Sequence, residues 1–371
     1  MKKNPWNIMK MGVVSCAVLV GVSASVLPIA SIASADTAVA ISATTSSVPV
    51  VIKEVVLTSK STNLTTNIKV PQLSGMLDTK YQDELNDIIL SHANKDLANW
   101  EKDAAEAAAA AKDKGYTYRP YGLTIVYTLK SDGTGNPSGV VSLSVTTYGE
   151  TGGTGMPRVD TYNVLNAATA QRVTLQDLLG AGYKATIDAG VIAKMDEEPQ
   201  YFFKDQFKGI SSEQGFFVEK GAVVVVFPKY SIAAGVAGSP EFRFILPKDV
   251  TIKPNPTPLP GTDKVKVELA PVDVEQNEDG VTLVPFRKVA EGLGYTVKWN
   301  QDTYAAELSK GAQWTSVSVG KDSYFFAKMA PVALGAAPVI LNDTLYVPAK
   351  FVSDILKADV TIDSKGIHIA Q

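Results

Sequence analysis

The chain has 371 residues, with 35 Lys and Arg against 38 Asp and Glu, a formal net charge of -3, two histidines and one cysteine. A mildly acidic balance speaks against a nucleic-acid partner, which calls for a basic face. Two histidines and a single thiol leave no material for a disulfide framework or a thiolate-rich metal centre, so neither a cofactor nor a metal site is expected.

Lys2, Lys3 and Lys10 precede an uncharged apolar stretch from Met11 to Ile32 that closes on Ala33-Ser34-Ala35. A basic start, an apolar middle and a small-residue end describe a secretory signal peptide over residues 1–35. The stretch is long enough to be weighed as a transmembrane helix, but Pro28 and the small residues behind it favour cleavage, which leaves no stable membrane anchor. Cleavage would also remove Cys16 and the three lysines, so the remaining chain would have no thiol and a charge of -6 (-3 less +3).

Residues 36–49, rich in Ala, Ser, Thr and Val, read as a flexible leader. Strands follow at Val50 to Leu57 and Thr65 to Val70. A long helix is expected from Thr79 to Lys114, because Leu85, Ile88, Ile89 and His92 recur at helical spacing and Ala104 to Ala111 is almost pure alanine. Leu123 to Leu129, Val140 to Thr147 and Arg158 to Leu165 alternate or cluster apolar residues as strands do. A short helix follows at Thr174 to Leu179, and Ala222 to Phe227 reads as a buried central strand. Prolines at alternate positions in Lys253 to Pro260 favour a semi-rigid spacer, which divides the chain into domains at 50–248 and 264–371 with a linker at 249–263. Strands and helices without regular alternation argue an α+β class.

The second domain repeats itself. Val284-Pro285-Phe286-Arg287 through Trp299-Asn300 returns as Val347-Pro348-Ala349-Lys350 through Ile362-Asp363, each copy a strand, a proline-opened helix and a strand. Val297 and Trp299, or Val360 and Ile362, would share one face. Such a unit cannot bury its apolar side alone, so the two copies pack together. A hairpin turning at Asn342-Asp343 leads into the second copy, and another over Glu275 to Gly280 leads into the first.

This repeated valine-proline unit, with its preceding hairpin and following strand, resembles the copper amine oxidase N-terminal-like, or stalk, domain over Val265 to Gln371. The resemblance implies a small accessory module of secreted bacterial proteins; no copper site is carried over, because no histidine cluster accompanies it. Over Val50 to Pro247, Val70 to Gly75 followed by Leu85 to Ile89 resembles the non-catalytic domain ahead of the peptidoglycan deacetylase PdaC. Tyr148 to Gly153, Tyr162 to Leu165 and Phe227 to Phe242 resemble the extracytoplasmic domain of the lysozyme-sensing anti-sigma factor RsiV. Together these imply a sensory or binding fold without its usual effector.

The candidate chemistry is sparse. Tyr148 to Pro157 holds four glycines, but it lacks the lysine of a phosphate-binding loop and the serine of a nucleophile elbow, and so reads as a strand connection able to touch a ligand. His92 lies on the apolar face of its helix and His368 in a terminal strand, neither with a second histidine nearby. Asp196, Glu197 and Glu198 are adjacent, whereas a glycosidase pair must stand several ångströms apart across a sugar, so they read as a solvated helix end. Glu275 to Gly280 lacks the spacing of a calcium loop. Tyr201, Phe202 and Phe203, and the tyrosines around Arg119, could stack on sugars or anchor a protein.

The sequence thus points to a secreted, non-catalytic envelope-binding protein that takes peptidoglycan or another wall polymer, or an extracellular protein such as a lysozyme-type hydrolase. Tyr118, Tyr121, Tyr148, Gly152, Gly153 and Tyr230 are its expected ligand contacts, with no catalytic residue. The alternatives are an accessory wall hydrolase or deacetylase, and a purely structural spacer.

Overall fold

The computed structural model describes residues 48–153, 155–248, 250–252, 265–301 and 303–371. The signal segment, nearly all of the leader and most of the proline spacer lie outside the described residues. Strands β1 (Val51–Leu57) and β2 (Leu64–Ser74) lead into helix α1 (Thr79–Asp113), which returns the chain to β3 (Tyr121–Asp132) beside β2 and parallel to it. Antiparallel additions of β4 (Val140–Glu150), β5 (Arg158–Leu165) and β6 (Gln171–Arg172) complete a six-stranded sheet in simple chain order.

Alternation along these strands fixes what each face meets. Ile68, Val70, Leu123, Ile125, Leu143 and Val164 face α1 and pack on its Tyr81, Leu85, Ile88 and Ile89. The Asp78 carboxylate caps the helix, accepting from the Tyr81 N–H at 3.0 Å. On the other face Ser142 and Asn163 are buried side by side at 2.5 Å.

Those two polar residues have a definite task. After α2 (Leu175–Leu179) and α3 (Tyr183–Glu197), the chain forms a smaller antiparallel sheet from β7 (Phe216–Glu219), β8 (Ala222–Val226) and β9 (Glu241–Ile245), with β8 central. The edge strand β7 has peptide groups that no strand pairs, and side chains of the large sheet satisfy them: Val218 N–H donates to Ser142 Oγ at 2.8 Å, Asn163 Nδ2 donates to Phe216 O at 2.8 Å, and Phe216 N–H donates to Thr161 Oγ1 at 3.2 Å. A buried edge left without such partners would lose about 1–3 kcal/mol for each group. Helices α2 and α3 close the outer side, where Ile187, Val191 and Met195 pack on Phe216, Val218, Val223 and Val225.

Residues 265–371 contain β10 (Lys266–Leu269), β11 (Glu275–Gln276), β12 (Thr282–Pro285), α4 (Phe286–Gly292), β13 (Thr296–Asn300), β14 (Ala305–Lys310), β15 (Gln313–Ser318), β16 (Val339–Leu341), β17 (Thr344–Pro348), β18 (Asp359–Asp363) and β19 (Gly366–Ala370). The repeat copies pair directly: β12 lies antiparallel to β17, and Phe286 meets Phe351 with ring centroids 5.9 Å apart. The α+β class therefore holds. Two details differ from the sequence reading. The second copy has a single π-helical turn, Phe351–Ile355, where the first has α4, and Ile362 is 59% exposed rather than packed beside Val360. The hairpin turns at Asn342 and Asp343, both with positive φ, as a two-residue turn between twisted strands requires.

This segment has a core of its own around Val284, Phe286, Tyr324, Val347 and Phe351. It also contributes Ala312, Trp314 and Ala327 to the core beneath α1. Among the described residues, no helix is long and apolar enough to cross a membrane.

Candidate binding surface

Three loops converge where β4 ends and β5 begins. Residues 151–157 connect those strands; residues 199–207 follow α3; residues 228–238 connect β8 to β9. Backbone bonds join the second and third loops, with Phe203 N–H donating to Ile232 O and Ala234 N–H to Tyr201 O, each at 2.8 Å. Lys229 joins the third loop to the first, its Nζ donating to Gly155 O at 3.3 Å.

Glycine is needed at two of these contacts. The Tyr148 ring lies so close over Gly155 that a Cβ there would come within 2.4 Å of it, and the Tyr230 ring covers Gly235 as tightly, at 2.3 Å. Tyr230 holds a positive φ, and its ring is 5.1 Å from the Lys229 ammonium. Around these anchors the loops expose apolar side chains: Tyr230 is 44% exposed, Met156 58% and Val236 82%. Tyr201 and Phe203 add exposed aromatic rings.

The structure thus brings Tyr148, Gly152, Gly153 and Tyr230 onto one set of loops. Tyr118 and Tyr121 belong elsewhere. Tyr121 shares the α1 face with Leu123, and its ring meets Trp100 edge-on at 6.0 Å and Tyr118 at 5.8 Å. Trp100 in turn lies against Gly149, whose position could hold no Cβ. Gly149 and Tyr148 are neighbours in one strand and point to opposite faces, so the Trp100 cluster and the Tyr148 loop surface are separated by the sheet. Tyr118 is further engaged through its hydroxyl, which donates to Asn63 O at 2.9 Å. Met156 and Val236 carry no sequence signal of their own, whereas Phe203 belongs to the Tyr201-Phe202-Phe203 run expected to stack on sugars or anchor a protein. The flanking Gly235 and Gly238 were the available signal for Val236.

Beside the second loop lies a cavity of about 420 Å³ lined by Met195, Asp196, Pro199, Phe202, Phe203, Lys204, Asp205 and Gln206. Asp196 accepts from Lys204 Nζ at 2.5 Å, while Glu197 and Glu198 accept from Lys194 at 3.2 and 2.8 Å. The three adjacent acids are therefore the solvated end of α3, as their sequence suggested.

A second cluster of charges joins α1 to β5, with Asp160 and His92 buried and the Arg158 side chain still 44% exposed. Arg158 holds Asp96 of α1 with Nη1–Oδ1 and Nη2–Oδ2 at 3.0 and 2.6 Å, and donates from Nε to Asp160 at 2.8 Å. His92 Nδ1 lies 3.1 Å from the Tyr162 hydroxyl. Burial, reinforced by the Arg158 charge, lowers the His92 pKa to about 4 and leaves the ring neutral. Burial also raises the Asp160 carboxyl above its ordinary value and, with Arg172, lowers Lys328 to about 8. The Arg172 guanidinium stacks 3.8 Å over Trp314 and pairs with Glu213 at 2.7 Å. The space among Tyr81, Tyr162, Arg172, Trp314 and Lys328 is about 30 Å³, room for a water and not for a substrate. The part-exposed His368 side chain lies between Asp363 and Glu268, whose hydrogen bonds raise its pKa. Among the described residues, no group of three or more His, Cys, Asp or Glu could hold a metal ion.

Residues 57–154 match the family described as Deacetylase PdaC, residues 176–245 match a protein family of unknown function, DUF3298, and residues 262–370 match the copper amine oxidase N-terminal domain. The chain carries these three family segments in that order. Two loops of the surface, 199–207 and 228–238, lie in the DUF3298 segment, while the glycine loop begins at the end of the PdaC segment. A protease inhibitor of Brevibacillus choshinensis is 49% identical over 87 residues, 24% of this chain and 26% of that protein. The chain thus spans about a quarter of the length of the curated relative it matches. Among solved structures, a DUF3298 family member from Bacteroides fragilis NCTC 9343 is 14% identical, with 53% of this chain and 89% of that chain covered and a TM-score of 0.40. A DUF3298 family protein from Pseudomonas aeruginosa PAO1 is 16% identical, covering 56% and 97%, with a TM-score of 0.36.

Proposed function

We propose that this chain is a secreted, non-catalytic binding protein of the cell envelope that recognises an extracellular protein, a secreted hydrolase being the partner class in view. The carrying observation is the three-loop surface, on which Tyr230, Val236, Met156 and Phe203 are exposed from loops pinned to one another and to two sheets. Exposed apolar and aromatic groups on a rigid frame are the composition of a binding hot spot, because little conformational freedom is lost when they are covered. The matched protease inhibitor supports a hydrolase as the kind of partner. The use of the charges between β5 and α1 also supports a non-catalytic reading: Arg158 is taken up by Asp96 and Asp160, and His92 by the Tyr162 hydroxyl, so these groups tie β5 to α1.

The test uses the mature chain, immobilised and exposed to culture supernatant and, separately, to isolated peptidoglycan. A captured protein is identified and its affinity measured by calorimetry for the unaltered chain and for Tyr230→Ala combined with Val236→Ser. The reading predicts that affinity falls at least tenfold, as loss of a hot-spot pair entails. Unchanged affinity, or binding to peptidoglycan alone, would overturn it.

A further inference from the structure

We propose that the cavity at the end of α3 is a receptor for a basic side chain, arginine above all, projecting from the bound protein. The proposal rests on the reading of the loop surface as a protein-binding site, and it names what part of that partner enters the chain.

The size and lining of the cavity come first. About 420 Å³ lies within the range of small-ligand sites and accommodates one extended side chain. Met195, only 1% exposed, and Phe202 supply apolar wall, and Phe203 and Pro199 form the rim. An aliphatic stem is at home on such a wall.

Charge selects what the stem must carry. The carbonyl end of the fifteen-residue helix α3 is the negative pole of its dipole. Four carboxylates, Asp196, Glu197, Glu198 and Asp205, stand at this end against two lysines, and both lysines are already paired, Lys204 with Asp196 and Lys194 with Glu197 and Glu198. Asp205 lines the cavity and, among the described residues, has no ion-pair partner. An anionic ligand would meet repulsion from both the helix end and Asp205. A guanidinium can stack on the Phe203 face while its fork engages a carboxylate, which an ammonium does less well.

Position links the cavity to the loop surface. Phe203 is held by the Ile232 carbonyl and Tyr201 by the Ala234 N–H, so the cavity rim adjoins the loop that carries Tyr230 and Val236. A protein lying over that loop has the cavity within reach of a long side chain.

The experiment needs no partner. Nα-acetyl-L-arginine amide is titrated into the mature chain carrying 13C-methyl methionine, with the Met195 methyl resonance as the reporter. Nα-acetyl-L-citrulline amide, which keeps the shape and loses the charge, is the control. The expected result is a saturable shift of Met195 with arginine amide, weakened about tenfold or more with citrulline amide and by a similar factor in Asp205→Asn, as loss of a charge-assisted contact entails. Phe203→Ala is expected to weaken arginine amide as well. Equal affinity for citrulline amide, indifference to Asp205→Asn, or no saturable shift at concentrations of about 20 mM, where even millimolar sites fill, would overturn the proposal. Because the Tyr230 and Val236 variants test the loop surface with an intact partner, the cavity can fail while that surface stands, and the reverse.

Discussion

Lys229 Nζ donates to the Gly155 carbonyl at 3.3 Å, and this bond joins the loop between β8 and β9 to the glycine loop between β4 and β5. Gly155 is also the floor beneath the Tyr148 ring, so one residue supports both contacts.

Gly155→Ala places a methyl group against the Tyr148 ring and 2.6 Å from the Gly149 carbonyl. Relief of that overlap must move Tyr148 or the loop, at a cost of about 1–3 kcal/mol, typical of overpacking. Urea denaturation is expected to show a lower midpoint with an unchanged slope, and partner affinity is expected to fall with it. Full retention of both would mean that the loop does not rest on this contact.

Asp96→Ala removes the carboxylate that Arg158 grips with two bonds. Arg158 keeps Asp160 and part of its exposure to water, so the expected loss is about 1–2 kcal/mol, below the 3–5 of a fully buried pair. Because the pair fastens β5 to α1, amide exchange in both elements is expected to accelerate together.

His92 sets a direction for pH. Its pKa in the fold is about 4, against about 6.5 for an unfolded histidine. As pH falls through that window the unfolded chain takes up a proton that the fold refuses, so the contribution is whole above about pH 6.5 and is lost toward pH 4. At pH 5 the loss relative to pH 7 is about 2 kcal/mol. His92→Gln, able to hydrogen-bond the Tyr162 hydroxyl without titrating, is expected to flatten that part of the stability profile. An unchanged profile would place the acid sensitivity elsewhere.

Trp314→Ala removes the ring on which Arg172 stacks and to which the Lys328 ammonium approaches within 5.3 Å. The truncation of a buried aromatic is expected to cost about 3 kcal/mol. It also admits water to Lys328, so the pKa of that lysine is expected to rise from about 8 toward its ordinary value, as followed by NMR titration of the lysine side chain. A Lys328 that still titrates near 8 would show that its burial does not depend on Trp314.

The elements with a strong period were legible in the sequence. Helix α1 was announced by Leu85, Ile88 and Ile89, and β5 by Arg158 to Leu165, whose bounds the structure reproduces. The strand β7 and the start of α3 were not. Four residues of β7 carry too little period, and the N-cap of α3 is Gly182, whose missing side chain offers no capping bond to mark the start at Tyr183. Ser142 and Asn163 were opaque for a different reason: polar residues on a buried face make sense only once the unpaired peptides of β7 are placed against them. The candidate surface was half visible. The glycine-rich loop pointed to Tyr148 and the RsiV-like segment Phe227 to Phe242 to Tyr230, while Tyr118 and Tyr121 could be separated from them only when the strand alternation at Tyr148 and Gly149 had been anchored by Trp100.

The central claim is that the chain meets its partner through three adjoining loops. Hydrogen–deuterium exchange of the mature chain, with and without the captured extracellular protein, tests it most directly. Slowed exchange concentrated in residues 151–157, 199–207 and 228–238 is the predicted result. Protection confined to the sheet of β10, β18 and β19, with those loops exchanging as fast as in the free chain, would contradict it.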